Sequence, residues 1–188
     1  MVSPIGQFAQ CFLTNPSFHA VVGVGPGGKR SVLARASLVD FFGNCLFDTF
    51  VRVEEKVTDY RTFVSGVSAE DLTSPESMPY GTCRKQVMKL IQHKILVGHG
   101  LQNDLAVLGI GHPWYNVRDT CTYHPYMRVD HYGTSRPRRL RDLARLHLGI
   151  LIQQEGRPHC SLEDACAAMA LYRQVQMNWD FLVDCRRR

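Results

Sequence analysis

Long apolar runs are missing from this chain of 188 residues, and runs such as Phe12-Leu13 or Ile95-Leu96-Val97 fall far short of a membrane span. Met1 to Leu13 carries no lysine or arginine, which argues against a secretory signal peptide. The seven cysteines include no pair at CxxC spacing, and a domain of this size needs no disulfide staples. A reducing compartment, cytosolic or nuclear, is expected. Acids are scarce at the start: Asp40 is the first Asp or Glu in the sequence. There is no internal repeat and no low-complexity segment.

What is present fits a single globular domain. The apolar fraction of 45% and charged fraction of 21% are near globular averages and allow a sizeable core. The net charge of +5 is modest, but its placement is informative. Six arginines and only two acids, Asp130 and Asp142, lie between Arg128 and Arg145. In a helix from about Leu140, the residues Leu140, Leu143, Ala144 and His147 share one face, and Arg138, Arg141 and Arg145 take the opposite one. Such a stripe suits a phosphate backbone, or is an ordinary charged face.

The element pattern predicts an α/β fold with a mixed β-sheet flanked by helices. Ser17 to Val22 reads as a short strand, followed by a turn at Gly23-Val24-Gly25-Pro26-Gly27-Gly28. Ser31 to Phe42 and Cys45 to Val53 read as an antiparallel hairpin. Helices are expected over Gly81 to His93, Leu101 to Leu108, Leu140 to Leu148 and Ser161 to Phe181. Ile95 to Val97 and Val117 to Asp119 read as strands.

Two segments carry chemistry. In Gly98-His99-Gly100-Leu101-Gln102-Asn103-Asp104, Asp104 falls within the apolar stripe of its helix. Burying a lone carboxylate costs several kcal/mol or forces protonation, a penalty that a cation would remove. The structural alternative is a first-turn acid that complements the helix dipole. In His159-Cys160-Ser161-Leu162-Glu163-Asp164, Asp164 borders the buried face of the last helix. Its structural alternative is a capping box with Ser161. A histidine near its ordinary pKa can take a proton from water at neutral pH, which makes His159 a candidate base.

Taken together, these motifs resemble the DEDDh 3′–5′ exonucleases of the RNase H-like superfamily, in the branch of the nucleolar rRNA-processing RNA exonuclease and the interferon-stimulated exonuclease. The likeness runs from Gly23 to Trp179, about five-sixths of the chain. It rests on Val22-Gly23-Val24-Gly25-Pro26-Gly27, Thr58-Asp59-Tyr60-Arg61-Thr62, Ser65-Gly66-Val67, Gly98-His99-x-Leu101-x-x-Asp104, Arg118-Asp119-Thr120 and His159-Cys160-Ser161-x-x-Asp164-Ala165. The resemblance implies an exonuclease domain at 22–181 between a divergent segment, 1–21, and a basic tail, 182–188. It implies removal of nucleotides from the 3′ end of RNA or single-stranded DNA, in rRNA processing in the nucleus or nucleolus. Two magnesium or manganese ions would be held partly by Asp104 and Asp164, with His159 as general base. Arg61, with Tyr60 and Leu101, would meet the terminal nucleotide, and a 2′-hydroxyl contact from Arg61 would favour RNA; the structural alternative is that Asp59-Tyr60-Arg61 braces the loop. Arg138, Arg141 and Arg145 would follow the strand. No membrane partner is expected.

One landmark fails. Family members open with D-x-E in the sequence Asp-Cys-Glu-Met-Val-Gly, and the same columns here read Phe18-His19-Ala20-Val21-Val22-Gly23. Four carboxylates supply about −4 against the +4 of two divalent ions, whereas Asp104 and Asp164 supply about −2. Activity is therefore expected to be strongly impaired, with a non-catalytic nucleic-acid-binding module as the alternative. The abrupt break at about Val22 points to a different first exon or a misplaced gene-model boundary.

Overall fold

The computed structural model describes the backbone of Gln10–Phe12 and residues 21–188. The expected substitutions at Phe18 and Ala20, and His19 between them, lie outside the described residues. β1 (Gln10–Phe12) runs antiparallel to β4 (Arg35–Val39) on one side and parallel to β8 (Leu96–Gly98) on the other. β9 (Val117–Asp119) extends the sheet in parallel beyond β8, and β5 (Cys45–Arg52) and the short β7 (Met78–Pro79) extend it beyond β4. A second sheet joins β2 (Val21–Val24) to β3 (Arg30–Leu33) and to β6 (Val57–Asp59). The expected mixed α/β architecture is thus observed. The expected hairpin strand from Ser31 is split at Ala34: its first half pairs with β2, and only Arg35–Val39 pairs with β5.

Successive residues of a strand face opposite sides of the sheet, and the central sheet uses both. Leu38 and Leu96 pack with Leu101 and Leu108 of α4 (Leu101–Leu108) and with Cys83, Val87 and Ile91 of α3 (Tyr80–Ile91). Their neighbours Val39 and Val97 pack against α6 (Ser161–Arg187), through Ala165, Ala168, Met169 and Tyr172. A sheet covered on both faces accounts for the fully buried Leu-Val-Gly of β8.

Three expectations are revised here. The helix expected over Leu140 to Leu148 begins as α5 (Leu140–Leu143), then widens to π-helical geometry over Ala144–Leu148. Leu140, Leu143 and Ala144 are buried as expected, but the wider turn carries His147 outward to lie against the Tyr126 ring. Arg138 precedes the helix, so the three arginines do not form one helical stripe. Finally, α6 does not stop near Phe181. It continues to Arg187, whose guanidinium covers the Tyr115 ring, and the basic end is helical. Arg118 and Tyr172 both donate to Asp180, which fastens this helix to the sheet edge at β9.

Candidate functional site

Asp104 occupies the first turn of α4, directly after the C-terminal end of β8, and is 2% exposed. That turn is clamped by a second carboxylate, which sequence reasoning passed over. Asp119, at the end of β9, accepts from Gly100 N at 2.7 Å and Leu101 N at 2.9 Å, and also from Cys121 N at 2.9 Å. An anion on the free amides of a helix start is favourable through hydrogen bonding and through the helix dipole. Burial pushes the Asp119 carboxyl above its ordinary value, with its three amide partners opposing. The Arg-Asp-Thr motif after a strand was the one available signal.

Asp164 lies in the first turn of α6 and is 1% exposed. The capping box does not form: Cys160 precedes the helix, no side chain caps it, and the Asp164 amide donates to the Cys160 carbonyl as an ordinary helical bond. The carboxylate turns inward instead. Its Oδ1 accepts from Gln153 Nε2 at 3.0 Å, while its Oδ2 is buried with no hydrogen-bond partner among the described residues. Burial lifts its pKa to about 7; the Gln153 amide opposes this and the charge of Glu163 adds to it. Gln153 is itself buried and holds a left-handed backbone at φ 52°, an arrangement that costs energy for a non-glycine residue. The Gln153-Gln154 pair gave no indication that its first member reaches Asp164.

His159 is half-exposed in the turn before α6. Partial burial, and next the positive charge of Arg141, hold its pKa below the ordinary histidine value, which favours the neutral ring at physiological pH. Its backbone is braced by the loop around α1 (Thr62–Ser65). Gly66 has φ 63°, and a Cβ there would stand 2.4 Å from the His159 carbonyl oxygen. Ser65 Oγ donates to the Tyr60 carbonyl and accepts from Val67 N, which knots this loop. The Ser-Gly-Val motif therefore acts as a seat for His159.

Arg61 precedes α1 with φ 50°. Its guanidinium donates to Gly28 O at 2.8 Å and Ser31 Oγ at 3.0 Å and stands 3.5 Å from Asp59, leaving the side chain 14% exposed. In this arrangement Arg61 braces the glycine turn against β6. Tyr60 is half-buried among Val22, Ala34 and Val67. Leu101 is 1% exposed within the core. Arg141 is half-buried and electrostatically close to His159, Arg138 is half-buried, and Arg145 is exposed.

Two buried carboxylates, one with an oxygen that lacks a partner among the described residues, are suitable donors for a hard divalent cation. Among the described residues, however, no three His, Cys, Asp or Glu side chains gather into a set that could hold a metal ion. Asp104 and Asp164 offer carboxylate oxygens of the kind that such an ion takes. A cleft of about 480 Å³ lined by Arg30, Leu33, Arg52, Glu54 and Tyr80 includes none of Asp104, His159 or Asp164. No helix among the described residues is long and apolar enough to cross a membrane.

Residues 22–172 match the family described as Exonuclease. A protein of Mycosarcoma maydis named RNA exonuclease 4 is 48% identical over 160 residues, 85% of this chain and 41% of its own length. The Homo sapiens protein of that name is 43% identical over 167 residues, 89% of this chain and 38% of its own length. The chain thus spans about two-fifths of the length of these curated relatives. Among solved structures, the Saccharomyces cerevisiae Pan2 pseudoubiquitin hydrolase–RNA exonuclease module in complex with AAUUAA RNA superposes with a TM-score of 0.74 at 28% identity, over 93% of this chain and 30% of that one. The same module with AAGGA RNA gives 0.76 at 25% identity, over 98% and 32%. The RNase H-like exonuclease fold follows from these likenesses.

Proposed function

The chain belongs to the exonuclease family, in its DEDDh group, and from that premise we propose that it binds the 3′ end of RNA and cleaves it only feebly. The observation that carries this reading is a half-exposed His159 standing five residues before a buried Asp164 whose Oδ2 has no hydrogen-bond partner among the described residues. Asp104 and Asp164 would hold a divalent cation, magnesium or manganese. A bound cation would supply charge stabilisation to the phosphoryl oxygens. His159 would take the proton of the attacking water, and the nearby Arg141 would attract the phosphate while keeping the imidazole neutral.

The deficit lies in the missing acids. Phe18 and Ala20 stand in the sequence columns of the first two metal-binding carboxylates, so about half the negative charge of the site is lost. Stabilisation worth several kcal/mol corresponds to several orders of magnitude in rate. This deficit also favours the second reading, a nucleic-acid-binding module without catalysis. By likeness to its branch, the protein would work in rRNA processing in the nucleolus, on RNA or, less well, on single-stranded DNA.

A fluorescent single-stranded RNA with a free 3′ end tests the reading. The expected outcome is submicromolar to micromolar binding with laddering from the 3′ end that is slow or undetectable in magnesium and manganese. Brisk laddering would overturn the claim of impairment, and absence of any binding would overturn the assignment to RNA.

A further inference from the structure

A short hairpin before α5 has no part in the site so far described. Its strands, β10 (Arg128–Val129) and β11 (Ser135–Arg136), pair antiparallel and present the turn Asp130-His131-Tyr132-Gly133-Thr134. Tyr132 is 83% exposed, and its ring meets that of His131 with centroids 3.8 Å apart. Exposed loop tips are ordinarily mobile, but this one is cross-linked. Asp130 Oδ1 accepts from the amides of Tyr132 and Thr134 at 3.0 and 2.9 Å, and its Oδ2 accepts from Arg136 Nε at 3.0 Å. Asp130 N and O complete the turn with Thr134 O and Gly133 N.

The only acid of the hairpin is consumed by these contacts. What faces outward is an aromatic pair together with Arg128 and, just past the hairpin, Arg139. A rigid aromatic tip within a basic stretch is the chemistry that single-stranded nucleic acid requires: ring faces stack on bases, and guanidinium groups follow phosphates. The hairpin also leads into the site. Arg136 and Arg141 are five residues apart, at most about 17 Å of chain, and Arg141 lies close enough to His159 for its charge to be felt there.

We propose that the Arg128–Arg136 hairpin is a second grip on the RNA strand, in which Tyr132, backed by His131, stacks on a base upstream of the 3′-terminal nucleotide. The proposal rests on the RNA-binding reading above and extends it to a surface with no contact to the reacting phosphate. The grip would set a minimum substrate length: a dinucleotide would reach the terminal site alone, while a longer strand would engage both.

The test compares the full chain with Tyr132→Ala and Tyr132→Phe in binding to single-stranded RNA of two and of ten nucleotides. Loss of a stacked base is worth about 5- to 150-fold in affinity. Tyr132→Ala should weaken the ten-nucleotide RNA by that factor and leave the dinucleotide unchanged, and Tyr132→Phe should bind as the unaltered chain does. An Arg128→Ala variant should lower the slope of log affinity against log salt by about one. If the unaltered chain binds the longer RNA and Tyr132→Ala binds it equally well, the second grip is refuted while the RNA-binding reading stands. If the unaltered chain binds neither RNA, both fall.

Discussion

Replacing Asp164 by asparagine probes the site with neither metal nor substrate present. Burial, opposed by the Gln153 amide and reinforced by Glu163, holds the folded-state pKa of this carboxyl at about 7, whereas an aspartate in the unfolded chain titrates near about 3.9. A raised acid pKa means that the folded protein prefers the protonated form. Its stability is highest below the unfolded value and falls as pH climbs from about 4 towards about 7, because the unfolded chain releases its proton first. At about 1.36 kcal/mol per pH unit the whole loss is about 4 kcal/mol, of which about 3 kcal/mol falls between pH 5 and pH 8. Asp164→Asn keeps the shape, can still accept from Gln153, and does not titrate. Urea denaturation of both proteins at pH 5 and pH 8, with chelator, isolates the difference from all other titrating groups. The advantage of the variant should grow by about 3 kcal/mol over that interval. An advantage that stays constant would refute the description of Asp164 as a buried carboxylate held largely protonated by its surroundings, and with it the best evidence for a cation-binding position.

Two further substitutions address the supports of the site. Gly66→Ala places a side chain in a left-handed conformation and drives its Cβ into the His159 carbonyl, so a loss of about 2 kcal/mol and about 4–8 °C in Tm is expected; Gly111→Ala, where nothing lies within 4 Å, should be silent by the same thermal melt. Gln153→Ala removes the amide that donates to Asp164 Oδ1 and should cost about 1.5–3 kcal/mol at pH 8, where the carboxylate is charged, and less at pH 5; an equal cost at both pH values by urea denaturation would show that the amide serves packing rather than the carboxylate.

Local signals made part of this molecule readable in advance. Helix α4 was placed residue for residue because Gly100 and Gly109, both with positive φ, bracket an apolar stripe, and the burial of Asp104 followed from its position on that stripe. What could not be read depends on contacts distant in sequence. Asp119 reaches amides 18 and 19 residues away, Gln153 reaches across 11 residues to Asp164, and Gly66 touches the His159 turn far along the chain. For Arg61 the sequence leaves a nucleotide contact and a loop brace open, and the contacts to Gly28, Ser31 and Asp59 are those of a brace. Helical periodicity misplaced His147 because one widened turn rotates everything after it.

The helical half of the site is thus held by its own contacts, Asp104 through the Asp119 clamp, Asp164 through Gln153, and His159 through its Gly66 seat. Whether that half can be completed depends on the central strand. Cys11 pairs with Val39 and Val21 pairs with Leu33; ten residues therefore separate the first pair from the second on one strand and six on the other. A continuous antiparallel ladder advances equally on both strands, so β1 meets β4 four residues out of step with β2. If the sequence columns nevertheless give the right positions, Phe18→Asp combined with Ala20→Glu restores a charge of about −4 for two divalent ions. A recovery of about 4 kcal/mol in transition-state stabilisation would then raise 3′ cleavage of RNA by about three orders of magnitude. The depressed pKa of His159 implies that this activity declines only as pH drops below the usual histidine range, when the ring gains its proton. A double variant that melts like the unaltered chain yet stays inert in magnesium and manganese would place the fault in the register of the first strand rather than in its missing acids.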